Sequence, residues 1–211
     1  MILVKVCGIT TLPALNTSIK GGASYVGFMF YPPSPRNITP QDAAILAAHI
    51  PPSVKKVAVT VNADDQQLAD IQSVFIPDFW QLHGNESPER AQQIKQLTGI
   101  PIIKACSIRN GDDIAASLAY QDSVDMLLFD ARPPKEMTNA LPGGNGLSFD
   151  WNLLANRTFS LPWMLAGGIN ADNVIQAITA SGASMVDVSS SLENSPGIKS
   201  PELIETFLQK V

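Results

Sequence analysis

The chain has 211 residues, of which 45% are hydrophobic and 16% charged. This composition excludes a disordered protein and predicts a single domain over residues 1–211. The net charge of −5 disfavours nucleic acids and anionic membranes as partners, while two cysteines and two histidines exclude a disulfide framework and predict no metal site.

Short apolar runs rich in β-branched residues recur along the chain, and eight of them are predicted strands. The first begins within a few residues of the N-terminus, which leaves no room for a signal peptide. No apolar run reaches the length of a membrane span, so we expect a cytoplasmic protein. The predicted strands are Leu3–Cys7, Tyr25–Phe30, Val57–Val61, Phe79–Leu82, Ile102–Cys106, Met126–Asp130, Trp163–Ala166 and Met185–Val188.

Helix signals lie between the predicted strands. A capping hydroxyl precedes a proline at Thr39-Pro40, Ser87-Pro88 and Ser200-Pro201, which predicts a helix start at each place. Asn170 is predicted to cap the helix that follows the seventh strand. The last helix has an apolar stripe that we expect to dock on the sheet, formed by Leu203, Ile204, Phe207, Leu208 and Val211.

The alternation of eight strands with helices predicts an α/β fold, a small (β/α)8 TIM barrel with eight parallel strands. An open doubly wound sheet is the alternative, although no G-x-G-x-x-G follows the first strand. The fifth helix, near Asp112–Leu118, and the sixth, near Phe149–Leu154, are predicted to be short. Long loops follow the second strand (Tyr31–Ile38) and the sixth (Ala131–Ser148), on the side where such barrels place their active sites.

Two titratable residues end predicted strands and suggest an acid/base pair on a common rim. Cys7 stands before Gly8, and a base role there requires a stabilised thiolate, for which Lys5 on the same side of the strand is a candidate. A small core residue is the other interpretation of Cys7. Asp130 follows three apolar residues and fits either a proton donor or a structural residue that caps the loop or pairs with Arg132.

Other segments suggest a binding site for an anion. Arg36 follows three prolines, whose fixed φ stiffens its loop. Its guanidinium could pair with a carboxylate or a phosphate, or Arg36 could be an ordinary solvent-exposed surface residue. Glycine- and serine-rich segments occur at residues 143–146, 166–170 and 188–191, and the last two follow the seventh and eighth strands. Loops at those positions commonly bind phosphate through backbone N–H groups.

Several motifs together resemble the phosphoribosylanthranilate isomerase family of tryptophan biosynthesis, in the family's order and over nearly the whole chain. They are Lys5-Val6-Cys7-Gly8-Ile9-Thr10, Gly27-Phe28-Met29-Phe30-Tyr31 with Ser34-Pro35-Arg36, Gln81-Leu82-His83-Gly84, Leu127-Leu128-Phe129-Asp130, Gly143-Gly144-Asn145-Gly146 with Phe149-Asp150-Trp151, Leu165-Ala166-Gly167-Gly168-Ile169-Asn170 and Val186-Asp187-Val188-Ser189-Ser190.

The resemblance implies an Amadori rearrangement of N-(5-phosphoribosyl)anthranilate to 1-(2-carboxyphenylamino)-1-deoxyribulose 5-phosphate, without cofactor or metal. It implies that Asp130 is the general acid and Cys7 the general base. Arg36 would hold the anthranilate carboxylate, and Asp187 would lie beside the anthranilate amine. The residues implied for the phosphate of this small-molecule substrate are Gly144, Asn145, Gly146, Gly167, Gly168, Ser189 and Ser190.

Two other functions remain as alternatives. One is another phosphosugar barrel enzyme, such as indole-3-glycerol-phosphate synthase, which requires a lysine acid at a strand end, where Lys104 is available. The other is a non-catalytic phosphosugar-binding barrel, which would lack the acid or the base. The apolar helix residues fit a monomer as well as a homodimer.

Overall fold

The computed structural model describes residues 2–134 and 141–211, and its strands close into a barrel of eight in sequence order. All neighbours pair in parallel, and β8 returns to β1 with Lys5 opposite Asp187. This closure confirms the predicted (β/α)8 barrel and contradicts the open sheet. The barrel strands are β1 (Leu3–Cys7), β2 (Tyr25–Met29), β3 (Lys55–Thr60), β4 (Phe79–Leu82), β5 (Ile102–Ile108), β6 (Met126–Ala131), β7 (Trp163–Leu165) and β8 (Met185–Val188).

Helices cover the outside of the barrel, and the predicted proline starts are confirmed. The hydroxyls of Thr39, Ser87 and Ser200 each accept a hydrogen bond from a backbone N–H in the first turn of the helix that follows. No helix in the described ranges has both the length and the apolar character that a membrane span requires. The helices are α1 (Leu12–Lys20), α2 (Pro40–Ala47), α3 (Asp65–Val74), α4 (Pro88–Thr98), α5 (Gly111–Ser117), α6 (Val174–Ser181) and α7 (Pro201–Leu208).

The prediction that the fifth and sixth helices are short is confirmed. The α5 helix has seven residues and continues into a 3-10 turn, and between β6 and β7 the described residues contain only the 3-10 turn Trp151–Leu154. Part of the long loop predicted at Ala131–Ser148, namely residues 135–140, lies outside the described residues.

Several predicted element ends are wrong by one or a few residues. The third strand ends at Thr60 because the chain turns at Asn62, whose φ is 51°. The sixth strand continues past Asp130, since Ala131 still pairs with Ile108 on β5. Asn170 does not cap α6 directly, because the turn that it forms with Asn173 delays the helix to Val174.

Successive side chains of a strand point to opposite faces of the sheet, and this alternation divides the apolar residues into two layers. On β1, Val4 and Val6 join the core between barrel and helices, whereas Cys7 belongs to the cluster inside the barrel. The stripe of the last helix is narrower than predicted. Phe207 is buried in the outer core, but Leu203 remains 37% exposed. Side chains inside the barrel therefore come from every second strand position, and this register aims the site residues toward the barrel mouth.

Candidate active site

One cavity opens at the carboxyl ends of the strands, and all eleven residues predicted for the site line it. The wall combines strand ends with the loops after β2, β6, β7 and β8. Residues from opposite ends of the sequence meet here because the barrel closes β8 onto β1. Six further residues line the cavity. Gly143, Ala166, Ile169 and Val188 belong to the predicted glycine- and serine-rich segments, whereas Met29 and His83 were not predicted for the site.

A buried ion pair lies beneath Cys7. Lys5 Nζ is 2.8 Å from Asp187 Oδ1, and Lys5 has no exposed surface. A Cβ atom on Gly27 would stand 2.7 Å from Cys7 Sγ, so the absence of a side chain there makes room for the thiol. Burial opposes the charge on both partners of the pair. The pKa of Lys5 is nevertheless raised by Asp187 and Cys7, whereas burial raises the pKa of Asp187 against the pull of Lys5.

Lys5, the candidate for stabilising a Cys7 thiolate, does lower the pKa of the thiol, but burial outweighs it. Burial raises the pKa of the Cys7 thiol above its ordinary value, and Asp187 adds to the increase. The charges of Lys5 and Lys199 oppose it without reversing it. The raised pKa favours the protonated form of the Cys7 thiol at neutral pH.

Asp130 meets a histidine that the residue-level prediction did not include. Asp130 Oδ2 lies 3.4 Å from His83 Nε2, and Oδ1 accepts a hydrogen bond from the Ala131 N–H at 2.8 Å. The Gln81 amide is 2.9 Å from His83 Nδ1. With that amide as donor, the proton of the neutral imidazole is on Nε2 and faces Asp130. The strand-end motif at residues 81–84 was the available signal for His83.

One structural alternative for Asp130, an ion pair with Arg132, is wrong, because Arg132 pairs elsewhere. Its Nη2 lies 2.7 Å from Asp113 Oδ1 and donates to the Ser107 carbonyl at 3.0 Å. The β6 loop instead closes over Asp130 at Gly143, where an added Cβ would collide with His83 Nε2 and stand 2.8 Å from Asp130 Oδ2. Only a glycine lets the loop backbone approach the acid so closely.

Arg36 reaches the cavity from the loop after β2. Its Nε and Nη2 atoms donate to Glu193 at 2.7 and 2.9 Å, and both side chains are buried. Glu193 begins a short hairpin after β8, formed by β9 (Glu193–Ser195) and β10 (Ile198–Lys199). The sequence contained no local signal for this pair, because its members are far apart in the chain.

The predicted phosphate loops also line the cavity, and the loop after β6 lies against Arg36, whose Nη2 is 3.4 Å from the Gly144 carbonyl. Ser190 lies beside Gly146, and Ser191 Oγ donates to the Ile169 carbonyl at 2.6 Å, which ties the β8 loop to the β7 loop. Two predicted side chains are already occupied. Ser189 Oγ donates to the Cys7 carbonyl at 3.0 Å. The Asn145 amide bonds both backbone groups of Leu141. These residues are left with their backbone groups for a ligand.

Comparison with known proteins decides the family. The family model described as "PRAI: N-(5'phosphoribosyl)anthranilate (PRA) isomerase" matches residues 4–210. The chain belongs to the N-(5'-phosphoribosyl)anthranilate isomerase family. The isomerase of that name from Parvibaculum lavamentivorans is 48% identical over 206 residues, which cover 98% of this chain and 96% of that protein. The one from Brucella canis is 47% identical over 208 residues, covering 99% and 93%.

Solved structures of phosphoribosylanthranilate isomerases share the fold. The enzyme from Thermotoga maritima superposes with a TM-score of 0.88 at 36% identity, covering 100% of this chain and 98% of that one. A second isomerase structure, in complex with reduced 1-(o-carboxyphenylamino)-1-deoxyribulose 5-phosphate, has a TM-score of 0.83 at 34% identity, with the same coverage.

Lys104, the lysine required by the alternative lyase, does not line the cavity of this isomerase-family barrel. Its Nζ is 2.9 Å from Glu86 Oε2 and donates to the Gly84 carbonyl at 2.7 Å, with both charged side chains buried. This pair holds the turn after β4. The lysine is therefore engaged in structure and points away from the reacting groups.

Proposed function

We propose that the chain catalyses the Amadori rearrangement of N-(5-phosphoribosyl)anthranilate to 1-(2-carboxyphenylamino)-1-deoxyribulose 5-phosphate, a step of tryptophan biosynthesis in the cytoplasm. The observation that carries the proposal is that Cys7 and Asp130 line one cavity, between an arginine and glycine-rich loops. Membership of the isomerase family supports it. So does the ligand of the similar isomerase structure, which carries both a carboxyphenyl group and a phosphate.

The cavity offers partners for both anionic groups of the substrate. Arg36 would bind the anthranilate carboxylate, because a guanidinium pairs well with a carboxylate. The phosphate would lie among the loops after β6, β7 and β8, where backbone N–H groups supply donors without a net positive protein. We assign it to Gly144, Asn145, Gly146, Gly167, Gly168, Ser189 and Ser190, all of which line the cavity.

Asp130 would begin the reaction as the general acid. It donates its proton to the ring oxygen of the ribose, and the ring opens to a protonated Schiff base. The aspartate left behind gains the imidazole N–H of His83, whose Nε2 lies 3.4 Å from Oδ2. His83 Nε2 makes no hydrogen bond among the described residues, so a small approach of the two side chains would give the new negative charge a donor.

Cys7 would complete the reaction as the general base. Cys7 acts as its thiolate, so the thiol first releases its own proton to water while the positively charged Schiff base forms beside it. The Schiff base also acidifies the hydrogen on the adjacent carbon, and the Sγ thiolate removes that proton to leave an enolamine. Protonation of the enolamine carbon and loss of its hydroxyl proton then give the ketone. The raised pKa of Cys7 is compatible with this role, because the Schiff base brings a positive charge next to the thiol. A nearby cation favours the thiolate at the moment when a base is needed. Asp187, on the same wall, would lie beside the anthranilate amine.

Replacing either proton-transfer group tests the proposal. Freshly prepared substrate is followed by the loss of anthranilate fluorescence. We expect Cys7→Ala and Asp130→Asn each to lower kcat by about 10²–10⁴, the usual contribution of a positioned acid or base. Cys106→Ala is the matched control, because this buried thiol lies outside the cavity. Variants that stay folded, by circular dichroism, and turn over at the wild-type rate would contradict the mechanism.

A further inference from the structure

The hairpin that follows β8 carries the buried carboxylate of Glu193, which has no role in the proposed mechanism. Glu193 accepts two hydrogen bonds from Arg36, Nε to Oε1 at 2.7 Å and Nη2 to Oε2 at 2.9 Å. The exposed fractions of the two side chains are only 3% and 6%. A two-point, desolvated pair of this kind fixes both the position and the plane of the guanidinium.

Glu193 is itself held from three sides. Its Oε2 accepts the Gly197 backbone N–H at 3.1 Å, and its Oε1 accepts a hydrogen bond from Lys199 Nζ. Burial alone would raise the pKa of Glu193, but the bonds from Arg36 and the charge of Lys199 hold that pKa below its ordinary value. Glu193 is therefore ionised at neutral pH.

The β9–β10 hairpin and the loop that carries Arg36 also touch through their backbones. Gly197 has a φ of 85°, and an added Cβ would collide with the carbonyl oxygen of Pro35. Lys199 extends the network toward the β8 loop, where its Nζ lies 3.4 Å from Ser189 Oγ. The hairpin thus contacts both the loop that carries Arg36 and the loop after β8.

The pairing leaves one part of Arg36 for a ligand. Glu193 engages Nε and Nη2, and Nη2 makes a further long contact of 3.4 Å with the Gly144 carbonyl. Nη1 has no hydrogen-bond partner within residues 2–134 and 141–211, and the Arg36 side chain lines the cavity. Nη1 is therefore available at the cavity wall to donate a charged hydrogen bond to an anionic group.

We propose that Glu193 is a positioning residue that holds the Arg36 guanidinium for the carboxylate of the substrate, and that this contact makes the enzyme selective for arylamines bearing an ortho-carboxylate. The inference rests on the proposed function, because it takes the anthranilate carboxylate as the ligand of Arg36. A free arginine side chain loses rotamer entropy when it binds a ligand. An arginine side chain that is already paired in the free protein has lost this rotamer entropy before the ligand binds. More of its interaction energy with the ligand therefore appears as affinity.

Two ligands that differ only in the carboxylate test the inference. They are reduced 1-(2-carboxyphenylamino)-1-deoxyribulose 5-phosphate and the 1-phenylamino analogue. The readout is the ratio of their Kd values, measured by calorimetry. Glu193→Gln should reduce the wild-type preference for the carboxylated ligand about tenfold to hundredfold, the scale of a charged hydrogen bond. The KM for the substrate should rise with a smaller change in kcat.

Glu86→Gln is the matched control, since Glu86 is also buried and paired with a cation, Lys104, but away from the cavity. Its ligand preference should equal that of the wild type. Equal weakening of both ligands by Glu193→Gln, or no weakening, would overturn the positioning role.

Arg36→Met separates the inference from the proposed function. If Arg36→Met abolishes the preference and Glu193→Gln does not, only the positioning role fails. If Arg36→Met leaves the preference intact, the assignment of Arg36 to the carboxylate is wrong and the inference falls with it.

Discussion

Cys7 shows how burial changes a residue whose type and position are readable in the sequence. The thiol faces the barrel interior in a cavity that it shares with Asp187, and its pKa is raised by desolvation. A sequence shows the thiol and Lys5 two residues away, but the balance between desolvation and charge depends on packing. The sequence also shows His83, but only the fold brings its Nε2 to 3.4 Å from Asp130 Oδ2.

The raised pKa leads to a prediction about the free enzyme. In the Cys106→Ala protein, where Cys7 is the only thiol, alkylation by iodoacetamide should rise with pH to a midpoint above about 8.5, the ordinary value for cysteine. The sign follows from burial, which disfavours the thiolate, so more alkaline conditions are needed to form it. Mass spectrometry measures the modified fraction. A midpoint below that of a model thiol would show that Lys5 dominates instead.

The β9–β10 hairpin is the element that most affects the site without lining it. Three residues of this short segment, Glu193, Gly197 and Lys199, contact the Arg36 loop or one another. None of the strand or helix patterns predicted it, since two- and three-residue strands have no periodicity to detect. The capped helices, by contrast, begin where their sequence signals are.

Two glycines with positive φ test the fit of this hairpin. Gly197→Ala should lower the free energy of unfolding by more than about 2 kcal/mol and raise KM, because the new Cβ displaces the hairpin from Pro35. Gly182→Ala is the control. Its φ is 75° with open space around the Cβ position, so we expect only the cost of the left-handed backbone, about 1 kcal/mol. Urea unfolding and steady-state kinetics measure both effects. Equal losses in the two variants would contradict the contact.

At the scale of the whole molecule, stability depends on two concentric apolar layers and on closure between β8 and β1. The outer layer joins strands to helices, and α7 contributes to it beside α1. The inner layer is interrupted by Lys5 and Asp187, so the barrel interior combines packing with a buried charge pair.

Two positions on α7 test which face of that helix stabilises the barrel. Phe207→Ala should lower the free energy of unfolding by about 3–5 kcal/mol, because a fully buried aromatic ring leaves a cavity. Leu203→Ala, on the same helix but 37% exposed, should cost less than half as much. Denaturant unfolding at a fixed protein concentration compares them. A similar loss at both positions would mean that Leu203 is covered in solution.

Local features of the sequence determined the eight strands, the proline-capped helix starts, the short fifth and sixth helices and the motifs of the isomerase family. They did so because periodicity, caps and glycine turns act over a few neighbouring residues. Only the tertiary structure decided that Lys5 pairs with Asp187, Arg36 with Glu193 and His83 with Asp130. Each of these contacts joins distant segments, and their formation requires the register of a closed barrel and the burial that it imposes on charge.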